Sequence, residues 1–215
     1  MNVLSIRNRI LPFFAFAALC GTFLLDVSAE QIVLKRMPGD RLDVSMQNEA
    51  IHSVMSGQEW LIAQQNPDGS WGAGTNQIFD TMLCLFTLRA LNTEESEKAL
   101  AKGADFLKTR TEPFPAFPFG CRIDLPLPKI VESWPLSAAT SAKTMLEIAY
   151  SINRAGGVLL DAKKQPLDWR RDFGQRLIDT QKVSPKGGGF WRPAPGSSLS
   201  AIAETAFSLL TFVEL

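Results

Sequence analysis

Ser56-Gly57-Gln58-Glu59-Trp60-Leu61, with Gln65, Gly69 and Trp71 after it, is the stretch on which the fold turns. Apolar residues lead into it at three-to-four spacing through Ile51, Val54, Met55 and Leu61, the signature of an amphipathic helix. A Gln at the end of such a helix can reach unpaired backbone groups, Gly69 permits a sharp turn, and Trp71 can cover the loop. The opening returns as Lys102-Gly103-Ala104-Asp105-Phe106-Leu107, with Phe106 standing 46 residues after Trp60. A looser third copy has Leu177 four residues before Gln181, then Gly187-Gly188-Gly189-Phe190-Trp191. The segments that follow the first and third copies echo one another too. Asp80-Thr81 precedes Leu85 and Leu88, and Glu204-Thr205 precedes Leu209 and Phe212.

Working outward, the same periodicity predicts six helices, near 47–64, 79–91, 95–109, 137–154, 168–182 and 199–214, and no convincing strand. Gly- and Pro-rich segments at 66–75, 111–134 and 184–198 separate them. Self-similarity at a period of a few tens of residues marks an array of helical hairpins. The expectation is an all-α chain of about three hairpins.

The pattern Gly57, Trp60, Leu61, Gln65, Gly69, Trp71 resembles the QW motif of the squalene cyclase, oxidosqualene cyclase and prenyltransferase superfamily, lacking only its leading basic residue. Lys102, Gly103, Phe106 and Leu107 fit the front half of a second copy, with Thr111 where Gln belongs and no Trp at the close. Leu177, Gln181, Gly189 and Trp191 fit a third copy, stretched by four residues between Gln and Gly. The resemblance implies an α/α toroid in which these loops join outer helices (47–64, 95–109, 168–182) to inner ones. It makes Gln65, Trp71, Gln181 and Trp191 architectural residues. Three hairpins are half such a ring. An open half-ring leaves inner-helix residues such as Leu85, Leu88, Met145, Leu209 and Phe212 partly bare, unless the arc collapses, two copies or a partner close the ring, or the array lacks repeats of a longer relative. Leu215 lies sixteen residues after the start of the last helix, which fits a truncated or minimal array.

The resemblance also implies chemistry that this sequence does not spell out. The acidic D-x-D-D string that starts cyclisation in such cyclases is missing, as is the D-D-x-x-D box that holds magnesium. The zinc set of prenyltransferases cannot be assembled around the single histidine, His52. With no P-loop, G-x-G-x-x-G or G-x-S-x-G, the sequence implies no metal and no cofactor. Asp80 and Glu204 remain as candidate catalytic acids, each at the start of an inner helix. In an apolar pocket such an acid has a raised pKa and can protonate an alkene. Alternatively it accepts from free N–H groups in the first helical turn, which lowers its pKa. The long insertion Phe114-Pro115-Ala116-Phe117-Pro118-Phe119-Gly120-Cys121, with Trp134 beyond it, offers Phe117, Phe119 and Trp134 either to an apolar or glycan ligand or as a plug for one end of the bundle. The expected function is a non-catalytic or divergent binding protein for such a ligand or for a protein partner. The alternative is a cyclase-like or polysaccharide lyase-like enzyme using an inner-helix carboxylate as acid.

The remaining features bound where the chain works. Arg7 and Arg9, the apolar run Ile10 to Leu25 and the small residues Val27-Ser28-Ala29 predict an export signal over 1–29. Cys20 as a lipid-anchor site is the competing reading. An N-terminal extension at 30–46 and a repeat domain at 47–215 follow, with no later span long enough for a membrane. The 22 basic residues balance 22 acidic ones among 215, so no net field draws nucleic acid. Loss of the first 29 residues leaves 186, with two cysteines, Cys84 and Cys121. They pair in an oxidising compartment or, in the blander reading, Cys84 is a buried thiol.

Overall fold

A computed structural model describes residues 42–111 and 125–215, all within one compact unit, Ile32–Leu215. The chain is all-α, with four two-residue strands as its only sheet among the described residues. Helix α1 (Val44–Ala63) starts inside the expected N-terminal extension, because the Asp43 side chain accepts from Met46 N at 3.0 Å and caps it. Helix α2 (Gln77–Leu91) ends on Asn92, whose positive φ of 50° stops the helix. Helix α3 (Glu97–Lys108) completes the first half.

The predicted insertion contains an unpredicted short helix, α4 (Leu127–Glu132), with Pro128 in its first turn, where a missing N–H costs nothing. Helices α5 (Ala142–Arg154), α6 (Trp169–Thr180) and α7 (Ala201–Glu214) start on side-chain caps from Ser141, Asp168 and Ser200. Two small antiparallel hairpins, unanticipated by the periodicity, bracket α6. They are β1 (Leu159–Leu160) with β2 (Pro166–Leu167), and β3 (Lys182–Val183) with β4 (Gly189–Phe190).

The inner faces that an open arc would leave partly bare are covered within the chain. Helix α7 packs against α5, α2 and α1 at once, and every residue from Ala203 to Phe212 is buried. A predominantly apolar helix with few charges belongs in the middle of a structure, and α7 takes that place. The last helix in the chain therefore lies between α2 and α5 in space. As a result Leu85, Leu88, Met145, Leu209 and Phe212, expected to be partly bare, are all buried in one core.

Two joints hold this order, and they are built alike. Gln65 Nε2 donates to Gly69 O (2.9 Å) in its own loop and to Ala99 O (2.8 Å) on α3, rather than to its own helix end. Trp71 Nε1 donates to Leu61 O (2.7 Å), and the ring lies so close to Gly103 that a Cβ there would come within 2.8 Å of it. In the third copy Gln181 Nε2 donates to Ser53 O (2.8 Å) on α1, Trp191 Nε1 donates to Leu177 O (2.7 Å), and a Cβ on Gly57 would meet the Trp191 ring at 2.9 Å. Thus each loop docks on the outer helix of another hairpin, four residues before and at a glycine. In the third copy two glycines share the part of Gly69 (φ 89°): Gly187 (φ 93°) closes the turn on Ser184 O, and Gly188 (φ 72°) lies against Ser56 O as Gly69 lies against Lys102 O. Gly189, expected in that role, instead leaves room for the Gln181 amide.

Candidate functional site

Both candidate acids stand in the first turn of a helix, as expected, and both are buried: Asp80 is 2% exposed and Glu204 5%. They serve neighbouring helices rather than their own. Asp80 Oδ2, on α2, accepts from the hydroxyl of Ser200 (3.0 Å), the residue that caps α7. Glu204 Oε1, on α7, accepts from Ala142 N (2.8 Å), the first residue of α5. The two carboxyls so tie α2 to α7 and α7 to α5 at the same first turn of α7. Gly72, at a φ of 74°, leaves the space that the Asp80 carboxyl fills.

Of the two directions open for these carboxyls, burial wins over hydrogen bonding at each, and both pKa values are raised. Burial pushes Asp80 up to about 6, with the Ser200 hydroxyl pulling the other way. It raises Glu204 against the opposing effects of the Ala142 N–H and the Arg176 charge. Arg176, on α6, donates to Ala138 O (2.8 Å) and Thr140 O (2.9 Å) just ahead of α5. Sequence reading missed it, because nothing marks a lone Arg as the fastener of a distant turn.

Of the aromatic candidates, Phe117 and Phe119 lie outside the described residues, as does Cys121. Trp134 is half-buried, stacks on Phe173 of α6 (5.7 Å between centroids, 15° between planes) and donates from Nε1 to Asp172 Oδ2 at 3.2 Å. Its Nε1 reaches a side chain on another helix, where Trp71 and Trp191 reach a carbonyl of their own outer helix. Phe173 precedes Leu177 by four residues, as Gly57 precedes Leu61 and Gly103 precedes Leu107. Thr144 also follows Trp134 by ten residues, as Thr81 follows Trp71. Here a ring meets a ring where the other joints seat a ring on glycine. Cys84 is a buried free thiol, its pKa raised by burial and by Asp80 one turn away.

His52 is exposed on α1, and among the described residues no three His, Cys, Asp or Glu side chains gather as a metal site. An open cleft of about 270 Å³ lies between α4 and α5, lined by Leu125, Leu127, Ser151, Arg154 and Ala155, away from both acids. No described helix is long and apolar enough to cross a membrane.

Compared with known protein families, residues 2–116 match the squalene-hopene cyclase C-terminal domain. The chain belongs to that family. The match takes in the first QW copy and the front of the second, and it runs through the residues read as an export signal. No curated protein and no solved structure matches the chain. The third copy lies beyond the stretch matched to the cyclase domain, and its place in the same repeat series rests on the equivalent Gln, Trp and Thr contacts. Trp191 N donates to Thr205 Oγ1 (3.1 Å), as Trp71 N donates to Thr81 Oγ1 (2.9 Å).

Proposed function

We propose that this squalene-hopene cyclase-like chain is an exported, non-catalytic member of its family, which recognises an apolar or glycan ligand or a protein partner on its loop-bearing surface. The observation that carries this reading is the burial of the inner-helix side chains. Leu88, Leu209 and Phe212, which a cyclase-like ring turns toward its substrate, are 0%, 0% and 1% exposed and packed on one another's helices. Asp80 and Glu204 sit within that packing as fasteners between helices. Because the chain covers these faces itself, a second copy is not needed to hide them. The basic start, apolar run and small-residue site of residues 1–29 support export.

A second reading has its own observation. A carboxyl pushed up to about 6, as that of Asp80 is, stays partly protonated near neutral pH, which suits an acid that activates an alkene. The two readings separate in one experiment: the purified chain is incubated with squalene and, separately, with acidic polysaccharides, beside its Asp80→Asn variant. The non-catalytic reading expects no product from either protein. Product formed by the wild type and lost in Asp80→Asn would overturn it in favour of the enzyme.

A further inference from the structure

Glu204 has a second carboxylate oxygen that its joint with α5 does not use. Oε1 takes the Ala142 N–H, while Oε2 is buried and meets no hydrogen-bond partner among the described residues. Ser208, one turn further along α7, is in the same condition: it is 0% exposed and its Oγ meets no partner. Residues at i and i+4 share one face of a helix, so Glu204 and Ser208 belong to the same wall of α7. Thr211, next on that wall after Ser208, reaches Ala142 O at 3.4 Å, so this wall looks toward the start of α5.

Ser208 also lacks a bond that several other helical hydroxyls make. Thr81, Thr87, Ser151, Thr180 and Thr211 each donate to the carbonyl one turn back. That is the usual resting place of such a group in a helix. Ser208 makes no such bond to Glu204 O. Its hydroxyl is turned to another purpose, beside an acid that also lacks a partner.

We propose that Glu204 Oε2 and Ser208 Oγ together hold one internal water molecule where α7 meets the start of α5. Side chains one helical turn apart have Cβ atoms roughly 5–6 Å from each other. Neighbours at that spacing can present an oxygen each to one water, held by two ordinary O–H···O bonds of about 2.7–2.8 Å. Internal waters occur where buried polar groups are otherwise unpaired, and an acid with a hydroxyl supplies both an acceptor and a donor. The charged group facing this wall from α6 is Arg176, whose side chain already holds the Ala138 and Thr140 carbonyls. The water then satisfies Glu204 whether or not the carboxyl carries its proton, which a fixed protein donor could not do.

Crystals of the full chain that place individual waters test this directly. The expected result is one peak within about 2.6–3.2 Å of both Glu204 Oε2 and Ser208 Oγ. A direct bond between those two oxygens, or no peak, overturns the proposal. In solution, oxygen-17 relaxation dispersion counts long-lived internal waters. Ser208→Val, whose added methyl groups take the water's space, is expected to lower that count by one, and an unchanged count overturns the proposal. Should Ser208→Val fail to fold, Ser208→Ala removes one of the two contacts. A crystallographic peak of unaltered position and occupancy in that variant also overturns it.

Discussion

Asp80 shows how one position answers to two demands. Its carboxyl must be small enough to lie against Gly72 and polar enough to hold the Ser200 hydroxyl, and both needs place it where charge is costly. The folded chain therefore binds this proton more tightly than the unfolded chain does, with a pKa of about 6 against an ordinary 3.8. A carboxyl shifted upward adds most stability below its unfolded pKa. That contribution fades as pH rises from about 4 to 6 and is gone above. Glu204 and Glu214 are shifted in the same direction by burial and add to the trend. Asp80→Asn keeps the shape and an acceptor for Ser200 while removing the charge. It is expected to raise the melting temperature at pH 7.5 by roughly 2–4 °C, about 1 kcal/mol for a chain of this size. It should also flatten part of the slope between pH 4 and 6, as thermal unfolding across that range would show. A lower melting temperature at pH 7.5 would mean that the ionised carboxylate is worth more than its burial costs.

At the scale of elements, the unit that repeats is the joint between a loop and a foreign outer helix. Trp71 and Trp191 are both buried, and each indole N–H donates to a carbonyl in the last turn of its outer helix, Leu61 O and Leu177 O. Replacing either by Phe keeps most of the apolar contact and removes one buried hydrogen bond, an expected loss of about 1–1.5 kcal/mol. Trp134→Phe gives up only an N–H to the exposed Asp172 carboxylate, so its loss is expected to stay below about 1 kcal/mol. Urea unfolding of the three variants checks the ranking, and an equal loss in all three contradicts it. The two strong joints were legible in the sequence because Gln, Gly and Trp keep their order and nearly their spacing. The stacking of Trp134 on Phe173 was not, because a long insertion precedes Trp134 and a ring stands where the other joints have glycine. The partners of the joints were also hidden. Gln65 reaches Ala99 and Gln181 reaches Ser53, pairings that follow from how hairpins dock and leave no trace in local spacing. Asp80 and Glu204 could be picked out by their place before Thr, while their use across helices could not.

For the molecule as a whole, the third hairpin packs on the first as well as on the second. The third docks on the first through Trp191 and Gly57, and the first docks on α3 through Trp71 and Gly103. Repeats that look alike carry no mark of which neighbour each will choose, so the sequence supported an open half-ring as well as a closed core. The choice was made by α7, whose apolar residues have no solvent face to spare. Leu215, at the end of the last hairpin, consequently lies beside Leu42 and Met46 at the start of the first, all three against Gly174. This arrangement makes the two otherwise similar glycines unequal. Helix α3 packs chiefly against α2, so a side chain wedged under Trp71 at Gly103 loosens an element at the margin. A side chain wedged under Trp191 at Gly57 separates α1 from the hairpin that contains α7, on which α2 and α5 also rest. Overpacking of this kind costs about 1–3 kcal/mol, offset only slightly by the better helix propensity of Val over Gly. Hydrogen exchange is therefore expected to accelerate in α3 alone for Gly103→Val, and in α1, α6 and α7 together for Gly57→Val. If Gly57→Val were felt only near residue 57, α7 would not be the element that joins the hairpins, and the core would owe its closure to some other contact.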